Sequence, residues 1–141
     1  MVHVICGAPC SGKSHYVKSH AKPGELIIDA DKIAEAIGSG VDHQADGICW
    51  DAALKARETL IDYAKQTNTE SWIIHTKPSA RQLAEYKRIG AEIVVLDPGI
   101  DVCKQRAESR PEGTAAAIDK YYRTETTREK FAEWFGQVNE T

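Results

Sequence analysis

The run Gly7-Ala8-Pro9-Cys10-Ser11-Gly12-Lys13-Ser14 constrains this chain more than any other stretch. It satisfies G-x-x-x-x-G-K-[ST] at every fixed position. The apolar run 2–6 precedes it, and sequence suited to a short helix, about 13–20, follows it. A strand, a glycine-bracketed loop and a helix start together wrap backbone N–H groups around an anion. Glycine lets the backbone approach closely, and the helix turns the positive end of its dipole toward the charge. Lys13 adds a mobile cation for the β- and γ-phosphates, and the Ser14 hydroxyl can ligate Mg²⁺. With glycine at about 7% of residues, such a match arises by chance in well under ~1% of chains this long. Gly7 to Ser14 are therefore expected to hold a nucleoside triphosphate with Mg²⁺, ATP being the expected donor. Cys10 is read as a small loop filler.

The rest of the chain alternates strands and helices. Leu26-Ile27-Ile28, Trp72-Ile73-Ile74 and Ile93-Val94-Val95-Leu96 read as further strands. All are continuous apolar runs, the pattern of a parallel sheet covered on both faces by helices. Helices are expected from Asp31 to Gly38, from about 48 to 65 with Ala53, Leu54, Ala56, Leu60, Ile61 and Ala64 on its apolar face, and from a Ser79 cap to Arg88. Two more cover about 101–107 and 115–134, giving β-α-β-α-α-β-α-β-α-α. No repeat or linker interrupts the 141 residues, so one α/β domain, 1–141, is expected.

Composition narrows the class. The apolar share of 42% and charged share of 28% suit a globular protein, and no apolar run approaches the roughly 20 residues of a membrane span. The N-terminal stretch lacks the basic region and cleavage site of a signal peptide, so a cytoplasmic location is expected. Cys6, Cys10, Cys49 and Cys103 have neither zinc-ligand spacing nor a secretory context, so reduced thiols are expected. A net charge of −3 gives no global pull on nucleic acid. A local basic groove from Arg81, Lys87 and Arg88 stays open.

Acceptor chemistry should lie where strands end, because the carboxyl edge of a parallel sheet faces the ligand crevice. Asp29 and Asp31 follow the second strand, where a carboxylate can take a proton from an attacking hydroxyl. Asp29 also reads as a helix cap. His75 and Thr76 follow the third strand, at the place where many ATPases carry an acid; contact with the acceptor and plain packing both stay open for them. His43, in the polar loop 38–47, is a weaker contact of the same kind. Arg106 and Arg110 would share one helix face, and either could neutralise charge on the γ-phosphate.

The ordered set of this loop, Ile28-Asp29-Ala30-Asp31, Ile74-His75-Thr76, and Cys103 to Arg110 followed by Ile118 and Tyr122 resembles the kinase domain of bacteriophage polynucleotide 5′-kinase. It is also similar to compact phage-encoded P-loop proteins classed as ATPases or nucleotide kinases. The resemblance covers nearly the whole chain. It implies a three-layer P-loop kinase fold with strand order 2-3-1-4 and an arginine-bearing lid at about 107–114. It implies a phage protein in the host cytoplasm, with Asp31 as general base for a 5′-hydroxyl and Arg110 as the lid arginine on the ATP phosphates. In that family an arginine follows the base by three residues and holds the acceptor's phosphate; here that residue is Ala34. The family's Asp after the third strand is His75. The expected reaction is transfer of the γ-phosphoryl group to a hydroxyl, foremost a polynucleotide or nucleoside 5′-hydroxyl. A nucleotide, a small metabolite and a modified DNA base are alternative acceptors. An ATP-binding regulatory protein with little turnover is the alternative from another class.

Overall fold

The computed structural model describes residues 1–39 and 47–123. His43, and the part of the last expected helix beyond 123, lie outside the described residues. Four strands, β1 (Val2–Gly7), β2 (Leu26–Ile28), β3 (Ser71–His75) and β4 (Glu92–Leu96), form one parallel sheet in the order β2-β3-β1-β4. This is the order expected from the resemblance. The β-branched runs sit where both faces are covered: Val4, Ile5, Ile73 and Val94 are fully buried.

Successive residues of β1 serve opposite cores. Val2, Val4 and Cys6 join Ile28, Ile73, Ile93 and Val95 beneath Ile61 and Ala64 of α3 (Gly47–Thr67) and Leu83 and Tyr86 of α4 (Ala80–Arg88). Ile5 faces the other way, with Trp72, Val94 and Leu96, against Val17 of α1 (Lys13–His20). A third cluster joins Ala8 of the glycine loop to Cys103 and Ala107 of α5 (Ile100–Ala107) and Ile118 of α6 (Thr114–Arg123). The helices after β4 thus brace the loop at the head of the sheet. All four cysteines are free thiols.

Local signals explain the element boundaries. Ser79 accepts from the Gln82 N–H, and the Gln82 side chain accepts from the Ser79 N–H, a capping box that starts α4. Asp29 caps α2 (Ala30–Ala34) by accepting from the Asp31 N–H at 3.0 Å. The helix expected as far as Gly38 has two parts. After Ala34 the chain passes into a π-helical turn, Glu35–Ser39, in which Gly38 takes φ 141°.

Candidate active site

Every strand ends toward the same edge of a parallel sheet, so the segments after β1, β2 and β3 meet there. They enclose a cleft of about 750 Å³. One wall is the loop from Pro9 to Ser14. Facing it are Asp29 and Asp31 at the start of α2, then Trp50, Leu54 and Arg57 of α3. His75 and Thr76 floor it, and Arg110 to Thr114 edge it from the segment between α5 and α6.

Gly7 opens the loop at φ 155°, and no other residue fits there: a Cβ would meet the Leu96 carbonyl oxygen at 2.7 Å and the Ser11 hydroxyl closer still. The Gly7 N–H donates to the Thr76 carbonyl at 3.3 Å and ties the loop to the end of β3. Gly12 caps α1 in the left-handed region, φ 97°. The Lys13 ammonium lies along the loop and donates to the Gly7 and Ala8 carbonyls at 2.7 and 2.8 Å. Burial lowers its pKa from 10.5 to about 8, against the weaker raising effect of Cys6, Cys103, Cys10 and Asp29.

The two expected arginines separate. α5 ends at Ala107, so Arg106 and Arg110 share no helix face. The Arg106 guanidinium donates to the Cys10 carbonyl at 3.1 Å and is not among the residues lining the cleft. Arg110 does line it; its N–H bonds the Ala107 carbonyl at 2.9 Å in the turn after α5, ahead of Pro111. A proline disfavours helix at the residue before it, which explains why α5 does not reach Arg110.

Behind the acceptor wall lies a chain that sequence reasoning missed. Arg57 Nη2 donates to the Ile74 carbonyl at 3.3 Å and to His75 Nδ1 at 2.8 Å. A guanidinium only donates, so His75 Nδ1 accepts and the ring proton sits on Nε2. That nitrogen donates to the Tyr86 hydroxyl at 2.9 Å. His75 is 4% exposed. Burial first, then the charges of Arg57 and Lys13, push its pKa down to about 3, so the ring is neutral throughout the physiological range. The signal for Arg57 was present: residues 50, 54, 57 and 61 fall on one face of a helix, so an arginine stands in the apolar stripe of α3.

Ala34 is fully buried, so no side chain at the third position after Asp31 reaches the cleft. Arg81, Lys87 and Arg88 lie on α4 and take no part in lining it.

A phosphate loop at the head of a 2-3-1-4 parallel sheet defines the P-loop kinase fold. More narrowly, the chain belongs to the AAA_33 family, an AAA domain whose family model matches residues 2–135. Among solved structures it is similar to shikimate kinase from Acinetobacter baumannii in complex with shikimate, with a TM-score of 0.61 at 15% identity, covering 99% of this chain and 83% of that one. It is also similar to the Deinococcus radiodurans tunicamycin resistance protein, with a TM-score of 0.53 at 15% identity, covering 99% and 85%. A dephospho-CoA kinase from Campylobacter jejuni aligns at a TM-score of 0.42 and 14% identity, covering 99% and 87%. At these identities the likeness to the first two is one of fold alone. No curated protein sequence matches the chain. No helix among the described residues is long and apolar enough to cross a membrane.

Proposed function

We propose that this chain is an ATP-dependent phosphotransferase acting on a small or nucleoside-type hydroxyl acceptor. The observation that carries the reading is the single cleft with two unlike walls. A phosphate-cradling loop with its lysine forms one wall, and two carboxylates at the end of β2 form the other. Backbone N–H groups of the loop and the α1 N-terminus hold the phosphates of ATP. Lys13 leaves its two carbonyl partners and moves onto the β- and γ-oxygens. Arg110, on the rim, approaches the γ-phosphoryl group as charge spreads over its oxygens.

Asp31 takes the proton of the acceptor hydroxyl while that oxygen attacks phosphorus. The P–O bond to ADP breaks, and ADP leaves with the bond's electron pair. Mg²⁺ fits the donor set, because Ser14, Thr76 and Asp29, each carrying a hard oxygen donor, are among the residues lining the cleft. Ser14 would hold the ion together with phosphate oxygens, and bound there the ion would offset the phosphates' negative charge. Asp29, 6% exposed and capping α2, fixes the backbone that presents Asp31.

Two observations favour a small acceptor over a polynucleotide end. Position 34 is closed to the cleft, and the exposed cations of α4 lie off it. Shikimate kinase, whose fold this chain shares, is named for shikimate and was solved in complex with it. The test is transfer of label from γ-³²P-ATP to a panel of nucleosides, nucleotides, hydroxy acids and 5′-hydroxyl oligonucleotides. Labelled product from a small acceptor is expected. Tight ATP binding with no labelled product from any acceptor would turn the reading toward an ATP-binding regulator.

A further inference from the structure

A guanidinium carries five N–H donors and one charge that persists at every physiological pH. At Arg57 two of those donors, both on Nη2, are taken by the Ile74 carbonyl and His75 Nδ1. The Nε–H is buried without an acceptor and out of a ligand's reach, whereas neither N–H of Nη1 makes a hydrogen bond among the described residues. The two groups that grip Arg57 are both uncharged, a carbonyl and a neutral imidazole, so they fix its position without cancelling its charge. His75 is itself held from behind by Tyr86, which is 1% exposed. Arg57 stands in the acceptor wall, on the same cleft as Asp31, with Leu54 one turn and Trp50 two turns before it on α3.

The cleft's other charges do not substitute for a counterion. Asp29 exerts an attractive field on Arg57, but no ion pair joins Arg57 to any carboxylate among the described residues. Lys13 and Arg110 belong to the phosphate side. A cation fixed in advance on the wall that carries the proton acceptor, with the N–H groups of Nη1 left to donate, is an arrangement that recognises an oxyanion.

We infer that Arg57 is the specificity-determining residue of the acceptor subsite, and that it selects acceptors bearing a carboxylate or phosphate alongside the reacting hydroxyl. His75 and Tyr86 are positioning residues that act through it. The inference rests on the phosphotransferase reading for the word acceptor. The anion subsite itself can be tested without turnover.

The experiment is calorimetric titration of matched ligands into the full chain saturated with ADP, which keeps the phosphate loop filled. One arm compares hydroxy acids with their methyl esters; the other compares nucleoside 3′-monophosphates with nucleosides. Wild type should bind the anionic member of one arm at least about tenfold tighter than its neutral partner, the loss expected from one charged hydrogen-bonded contact. The arm that shows the gap identifies the source of the anion. Arg57→Gln should close the gap, Arg57→Lys should keep part of it, and both should bind ADP as wild type does. The lysine variant guards against misfolding, since it keeps the charge on a similar stem. No gap in wild type, a gap that survives Arg57→Gln, or an equal loss of ADP affinity in that variant would each overturn the assignment. A gap that behaves as expected without label transfer in the kinase assay would uphold the anion subsite while refuting phosphotransfer.

Discussion

Lys13 should cost the folded state stability in return for its place in the phosphate site. Its ammonium is partly buried in the loop, and its pKa falls from 10.5 to about 8. The direction matters. A base whose folded pKa is depressed destabilises the fold wherever the unfolded chain would hold the proton more tightly. The penalty is complete below pH 8 and fades as pH rises from 8 to 10.5, because in that window the folded state has lost the proton while the unfolded chain still holds it. At 1.36 kcal/mol per unit it is on the order of 3 kcal/mol at pH 7. The bonds to the Gly7 and Ala8 carbonyls favour the charged form and work against this penalty. Lys13→Met keeps the stem and removes the charge. Urea denaturation should find the variant more stable than wild type at pH 7, by about 1–3 kcal/mol, with the difference shrinking toward zero near pH 10.5. Calorimetry should find ATP affinity down roughly ten- to a hundredfold. A variant less stable than wild type at pH 7, or a stability difference that stays flat up to pH 10, would refute the claim that desolvation dominates at Lys13.

Three further outcomes test the division of labour. Asp31→Asn should lower kcat by about 10²–10⁴ with ATP affinity near wild type, measured by single-turnover kinetics beside equilibrium binding; a tenfold loss of ATP affinity with normal chemistry would move this carboxylate to the metal or nucleotide site. Arg110→Ala should reduce kcat more than it weakens ATP binding, and Arg110→Lys should rescue only in part, because a point charge lacks the planar fork. His75, depressed to about 3 from 6.5 by burial and its cationic neighbours, stays neutral in the fold while the unfolded chain protonates below pH 6.5. Wild type should therefore lose on the order of 4 kcal/mol between pH 6.5 and 3.5 from this group, and His75→Gln should remove that component of a urea-denaturation pH series.

What the sequence disclosed and what it hid follow from how local each cause is. The phosphate loop is legible because eight consecutive residues carry its backbone geometry: Gly7 takes φ 155° and Gly12 a left-handed cap. The capping signals of Asp29 and Ser79 are legible for the same reason, each acting within three residues. The sheet order is not local. It was implied by the resemblance to a P-loop kinase family and not by any single window of residues. The end of α5 turns on Pro111, whose effect on Arg110 was readable but was outweighed by the even spacing of two arginines. Arg57 is the instructive case. Its partners Ile74 and His75 lie 17 and 18 residues away, and Tyr86 joins them through another helix. No window of sequence holds that chain together. Even so, an arginine on the inward stripe of an amphipathic helix cannot be left without partners, because burying an unpaired charge costs several kcal/mol. The stripe of α3 therefore announced that a polar group must wait beneath it, and His75, which stands where many ATPases keep an acid, is that group. The exchange of an acid for a neutral imidazole at this place leaves the arginine's charge available to the cleft rather than neutralised within the protein.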